Sequence, residues 1–187
     1  AIGMVRAEAE RAGAIAIGPG LGRSDEARAL VRAVLDEIAL PVVVDADALF
    51  GLEPNARDAP TILTPHAGEL ARLLGTTTED VQAGRLAAAR QAAEAFGAVV
   101  VLKGPDTIVQ APGSGPVVAD TGPPSLASAG TGDVLTGVIA AFLAKGLAAG
   151  DAAAAGAVAH GLAAQRSGRV AGLIASDVVE ALPYVLG

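Results

Sequence analysis

Residues 14–45, AIAIGPGLGRSDEARALVRAVLDEIALPVVVD, decide the fold class. A short apolar run at 14–17 ends in Gly18-Pro19-Gly20-Leu21-Gly22, and Ser24 with the acids Asp25 and Glu26 then opens a helical pattern that reaches about Ile38. A serine oxygen at that position can cap the first free amides, and the two acids favour the positive end of the helix dipole. A second β-branched run follows at 42–45. Strand, glycine turn, helix and strand make the unit from which α/β layers with a largely parallel sheet are built.

Outward from this unit the alternation continues. Further strands are predicted at 61–63, 98–102, 107–110 and 117–119. Gly104-Pro105-Asp106 and Pro112-Gly113-Ser114-Gly115 supply turn chemistry between the last three, which predicts an antiparallel meander there. Gly75 reads as a C-cap after Leu73-Leu74, and Thr77 or Thr78 with Glu79 and Asp80 starts a helix predicted to run to about Phe96. Helices near 133–145 and 151–166 are apolar around most of their circumference and should be buried. Ser176 and Asp177 begin a last short helix.

A chain of 187 residues corresponds to one domain, here 1–187. With 52% apolar and 18% charged residues, disorder is excluded. Aromatics are only 2% with no Trp, so the core must be packed from small and branched side chains. A net charge of -7 gives no long-range attraction to nucleic acid or an anionic bilayer. The absence of cysteine removes disulfides, thiolate nucleophiles and cysteine zinc sites together. No stretch reaches the ~18 apolar residues of a membrane span; the best, 138–147, is broken by Lys145. The expectation is a soluble protein of cytoplasmic location.

The most informative chemical segment is Ser128-Ala129-Gly130-Thr131-Gly132-Asp133. Its glycines let consecutive amides turn inward, and the following helix points its positive end at the same spot, which makes an anion hole. Asp133 there could take a proton from a hydroxyl that attacks a phosphoryl group, or could simply be a helix-start acid. The turn at Gly18 to Gly22 lies at a strand's carboxyl end, where α/β sheets bind ligands, yet it lacks a Walker lysine. Asp45 and Asp47 end the next strand and could hold Mg2+ through water or bond a substrate hydroxyl, and Asp47 reads equally as an N-cap. Pro65 can start a helix whose first turn carries His66 and Glu69, either a ligand-binding or a surface pair. Lys103, followed by Gly104, Pro105, Asp106 and Thr107, can meet phosphate or be solvated. His160, inside an apolar helix, reads best as a satisfied core histidine.

Together GPGLG (18–22), DADAL (45–49), TPHAGE (64–69), KGPDT (103–107) and AGTGDVLTG (129–137) resemble the NAD(P)H-hydrate dehydratase family, with AVAHGLAA (157–164) and SDVVEALP (176–183) extending the match. The resemblance implies a ribokinase-like three-layer α/β/α fold with a mostly parallel central sheet. The family's N-terminal strands and a glycine-containing segment have no counterpart before Ala1, so the expectation is a truncated chain or one piece of a longer polypeptide. The implied reaction is repair: the S-epimer of hydrated NADH or NADPH is dehydrated with ADP, giving AMP, phosphate and the reduced cofactor, with ATP used by eukaryotic members. By position, Gly20, Gly22 and His66, with Asp45 and Glu69, should meet the hydrated dinucleotide. Lys103 to Thr107 and the turn Ser128, Ala129, Gly130, Thr131 and Gly132 should hold the adenine nucleotide, and Asp133 should be the catalytic base facing the hydrate hydroxyl. Mg2+ should bridge the phosphates, and members tend to be tetramers. The rivals are a vitamin-precursor kinase of the same fold and a non-catalytic nucleotide-binding subunit.

Overall fold

The β-branched runs pair in chain order. In the computed structural model, which describes residues 1–55 and 57–187, the strands are β1 (Ile15–Ile17), β2 (Val42–Val44), β3 (Thr61–Leu63), β4 (Val99–Leu102), β5 (Thr107–Gln110) and β6 (Val117–Ala119). They form one sheet of order β1-β2-β3-β4-β5-β6. β1 to β4 are parallel, and β4, β5 and β6 form the expected antiparallel meander.

Strand side chains alternate between faces, and the sheet is covered on both. Val42, Val44, Leu63, Val100 and Leu102 join one apolar cluster with residues of helices α2 (Asp25–Glu37), α3 (Ala67–Leu74) and α5 (Arg85–Phe96). Val43, Ile62, Val99 and Val101 join the other with α6 (Thr131–Ala144) and α7 (Ala149–Arg166). Every residue of β2 and β4 is buried, as expected of parallel strands sandwiched between helices. The three-layer α/β/α arrangement is therefore present.

Local signals placed most helix ends. Ser24 Oγ accepts from the Ala27 amide at 3.2 Å, and Gly75 closes α3 in the left-handed region at φ 66°. The single helix predicted from Thr77 or Thr78 to Phe96 is instead two. Thr77 caps α4 (Thr78–Ala83), and Gly84, at φ -135° and ψ 50°, breaks the run before α5. Glycine is the poorest ordinary helix former, so the break falls where helix is weakest. The pattern also missed α1 (Ile2–Ala9), which buries no residue fully and is tied to α2 by an Arg6–Glu37 ion pair. The last helix opens at α8 (Ala175–Ala181), one residue before the expected Ser176, and the turn α9 (Pro183–Leu186) follows.

One close approach positions the site. Gly18 ends β1 at φ 133°, and a Cβ there would collide with the backbone carbonyl of Asp45. Only glycine allows β1 and β2 to end side by side in this way. Gly18→Ala should therefore cost about 3 kcal/mol or more through overlap and strain, read as a lowered urea midpoint or loss of cooperative unfolding.

Candidate active site

The parallel strands deliver the four motif loops to one edge of the sheet, because all four carboxyl ends point the same way. Backbone bonds continue past the strands and lace the loops together: Asp45 N donates to Ile17 O at 3.0 Å, Thr64 N to Val44 O at 3.1 Å, and Lys103 N to Pro65 O at 2.9 Å. His66 and Lys103 form an isolated parallel bridge. Asp47 closes the glycine turn, accepting from the Gly22 amide at 3.0 Å and from Arg23 Nε at 2.8 Å. Arg23 first, and then the Gly22 amide, hold its carboxyl below the ordinary value. Asp47 is thus a loop tie, not the N-cap expected as one alternative; Asp45 occupies that position, without a side-chain cap bond. Between the two acids Ala46 stands at φ 49°, a left-handed conformation that L side chains rarely adopt. Gly20 and Gly22 face open space at positive φ, at the rim of the same edge.

The second wall is the turn into α6. Gly130 forms its N-cap at φ 83°, a conformation that suits glycine. Thr131 is buried, with its hydroxyl against the carbonyls of Leu126 at 2.7 Å and Ser128 at 2.8 Å, and its amide is bonded to Ser128 O at 3.4 Å. Ser128 Oγ turns back to Ser125 O at 3.1 Å. These polar groups, expected to hold a nucleotide, are spent on shaping the turn. The amides of Gly130, Gly132 and Asp133 have no acceptor among the described residues, so of the Gly130 to Gly132 amides expected only that of Thr131 is committed, and Asp133 adds one more open donor beside Gly132. Asp133 is exposed in the first helical turn, with no side-chain hydrogen bond among the described residues. Open amides at a helix start, with a free carboxylate beside them, are a site for an anion and a base together.

Asp45 departs from its expected role. Its carboxylate is 1% exposed and both oxygens are committed, Oδ1 to Lys103 Nζ and Oδ2 to Thr136 Oγ1, each at 2.8 Å. It is a buried partner of Lys103, not an open ligand for Mg2+ or a substrate hydroxyl. The Lys103 ammonium, 22% exposed by its side chain, lies 3.4 Å from where a Cβ on Gly132 would stand, so its charge backs the open amides.

Glu69 lies in the first turn of α3 as expected, but His66 stands just outside it. His66 is the N-cap of α3: its Nδ1 accepts from the amides of Gly68 at 3.0 Å and Glu69 at 3.2 Å, while Glu69 Oε2 accepts from the His66 amide at 2.8 Å. This reciprocal capping box buries Glu69 but leaves the His66 side chain 56% exposed, so of the pair only the imidazole can meet a ligand. The 103–107 loop is held from below by Arg85, which donates to Leu102 O at 3.3 Å and Asp106 O at 2.8 Å; nothing near Arg85 in the sequence signals that contact.

His160 is buried but not satisfied, since Nε2 has no partner among the described residues. Burial drives its pKa from 6.5 to about 4, the Thr131 backbone opposing the shift and the Lys103 charge adding to it. The folded state therefore holds His160 neutral, whereas the unfolded chain takes up a proton as pH falls through 6.5. Stability is complete above pH 6.5 and declines towards pH 4, by about 3 kcal/mol in all. Denaturant melts of His160→Leu should be flatter than wild type across that window.

The family model for NAD(P)H-hydrate dehydratase matches residues 3–183. The chain belongs to this family. A bifunctional NAD(P)H-hydrate repair enzyme from Moorella thermoacetica is 44% identical over 180 residues, which cover 92% of this chain and 34% of that protein. An ADP-dependent (S)-NAD(P)H-hydrate dehydratase from Neisseria meningitidis is 43% identical over 181 residues, 90% of this chain and 61% of that one. A Bacillus subtilis ADP/ATP-dependent NAD(P)H-hydrate dehydratase, co-crystallised with ATP and Mg2+, superposes with a TM-score of 0.88 at 34% identity and covers 93% of this chain and 64% of that one. The chain thus spans about a third of the first relative and under two thirds of the others. Among the described residues no helix is long and apolar enough to cross a membrane.

Proposed function

We propose that this member of the family dehydrates the S-epimer of hydrated NADH or NADPH with ADP as phosphoryl donor, releasing AMP and phosphate. The observation that carries the reading is the open pair of amides at Gly132 and Asp133, with the exposed Asp133 carboxylate beside them and the Lys103 ammonium behind. In this reading Asp133 takes the proton from the hydrate hydroxyl as its oxygen attacks the β-phosphorus of ADP. The bond from that phosphorus to the bridging oxygen breaks and AMP leaves. The two amides and Lys103 stabilise charge on the migrating phosphoryl group. The ring nitrogen's electron pair then expels the phosphorylated oxygen as phosphate, and loss of the neighbouring ring-carbon proton restores the double bond. Gly20, Gly22 and His66 at the rim would meet the dinucleotide, and the Gly104 to Thr107 loop the adenine nucleotide.

Mg2+ fits this site as a metal carried by the nucleotide, because it is commonly held by substrate phosphates with one or two carboxylates. Among the described residues no three acidic or histidine side chains gather into a metal cluster, and Asp133 is the uncommitted carboxylate beside the open amides. The bound ion would offset phosphate charge.

The test is near-ultraviolet absorbance of regenerated NADPH after mixing the protein with hydrated NADPH and ADP, in parallel with ATP. Absorbance that returns with stoichiometric AMP supports the proposal. No return of absorbance, with phosphorylation of hydroxyethylthiazole or hydroxymethylpyrimidine by ATP instead, would show a vitamin-precursor kinase; nucleotide binding with neither reaction would show a non-catalytic subunit.

A further inference from the structure

Thr136 lies one helical turn after Gly132 on α6, so its side chain and the open amide end share a face. Its hydroxyl, in a residue 1% exposed, donates to Asp45 Oδ2 at 2.8 Å. The other Asp45 oxygen receives the Lys103 ammonium at 2.8 Å, and that ammonium stands at the Gly132 position. Two hydrogen bonds thus run in file from α6 to the end of β2 and on to Lys103 at the end of β4, whose ammonium stands beside the start of α6. A buried carboxylate bonded on one oxygen alone would be free to turn about its last torsion. The threonine hydroxyl supplies the second, independent anchor. The Lys103 side chain is 22% exposed, so the ammonium is largely withdrawn from solvent.

We propose that Thr136 is a positioning residue: by fixing the Asp45 carboxylate it holds the Lys103 ammonium beneath Gly132, where it meets the phosphate of a bound nucleotide. This rests on the function proposed above for the same site, and it assigns a role to a residue that touches neither substrate. It implies that the hydroxyl of Thr136 matters and its methyl does not.

The chain has two lysines, Lys103 and Lys145, and Lys145 is exposed, so ammonium nitrogen NMR reports on Lys103 against a built-in solvated reference. Wild type and Thr136→Ser should both show a distinct, slowly exchanging Lys103 ammonium signal that shifts when ADP is added. In the isosteric Thr136→Val that signal should be lost to exchange while Lys145 is unchanged. In the dehydration assay, kcat should fall about ten- to a hundredfold in Thr136→Val and stay within about twofold in Thr136→Ser, with the KM for ADP moving less than kcat. The reverse order, with Val tolerated and Ser impaired, would mean that Thr136 only fills space and would overturn the proposal. If wild type turns over no hydrate, the dehydratase reading fails separately, and the ammonium signal still decides: an ADP-induced shift in wild type and Ser but not Val upholds the positioning role, and no shift in any of them refutes it.

Discussion

Asp133→Asn should lower the dehydration rate by about 10²–10⁴-fold, the usual contribution of a positioned general base, while ADP still binds. The substitution keeps the shape and hydrogen-bonding reach of the side chain but removes its ability to accept the hydroxyl proton. Because Asp133 is exposed and makes no side-chain hydrogen bond among the described residues, folding should barely change; the lost first-turn charge costs only about 0.3–1 kcal/mol. Rate and stability are therefore separable at this residue. Kinetics with hydrated NADPH, beside calorimetric titration with ADP, provide the check. Full activity in Asp133→Asn would move the base elsewhere.

Lys103→Met should have the opposite signature, damaging the fold as well as the chemistry. It leaves the Asp45 carboxylate, 1% exposed, with Thr136 as its one remaining side-chain partner. Breaking a buried pair from one side costs about 3–5 kcal/mol, because an uncompensated charge stays buried. Adding Asp45→Asn to Lys103→Met should recover much of that stability, since an amide needs no counter-charge, but it should not recover activity. Urea unfolding of the two single variants and the double variant measures the coupling. Independent, additive losses would mean that the two groups do not depend on each other in solution.

Legibility in the sequence followed the range of the interaction. Ser24, Gly75 and the turn after Leu102 act on residues a few positions away, and each could be read directly. The meander and the glycine turn before α6 were legible for the same reason, as local chemistry at an element's edge. The capping box at His66 is within reach too, since a cap three residues before Glu69 is a local pattern; Pro65 as the first helical residue competes with it and puts the start two positions early. What was not legible depends on pairing across the sheet. Thr136 and Asp45 are 91 residues apart, Lys103 and Asp45 are 58 apart, and Arg85 reaches Asp106 from an adjoining helix. A carboxylate that ends a strand looks the same whether it opens towards a ligand or turns inward to a lysine. Only the parallel register of β2 with β4's neighbour β3, which lines up their carboxyl ends, separates those cases for Asp45. Burial of His160 is legible from its apolar helix, but the missing partner at Nε2 among the described residues depends on what packs against that helix.

The most direct test of the account is to follow backbone amide NMR signals while ADP is titrated into the protein. The Gly132 and Asp133 amides should move first and furthest, shifting as hydrogen bonds form to phosphate, with the Lys103 ammonium moving in step. If those two amides stayed in place while the shifts gathered elsewhere, for instance in the hollow lined by Arg28, Phe50 and Leu52, the turn into α6 would not be where phosphate is held.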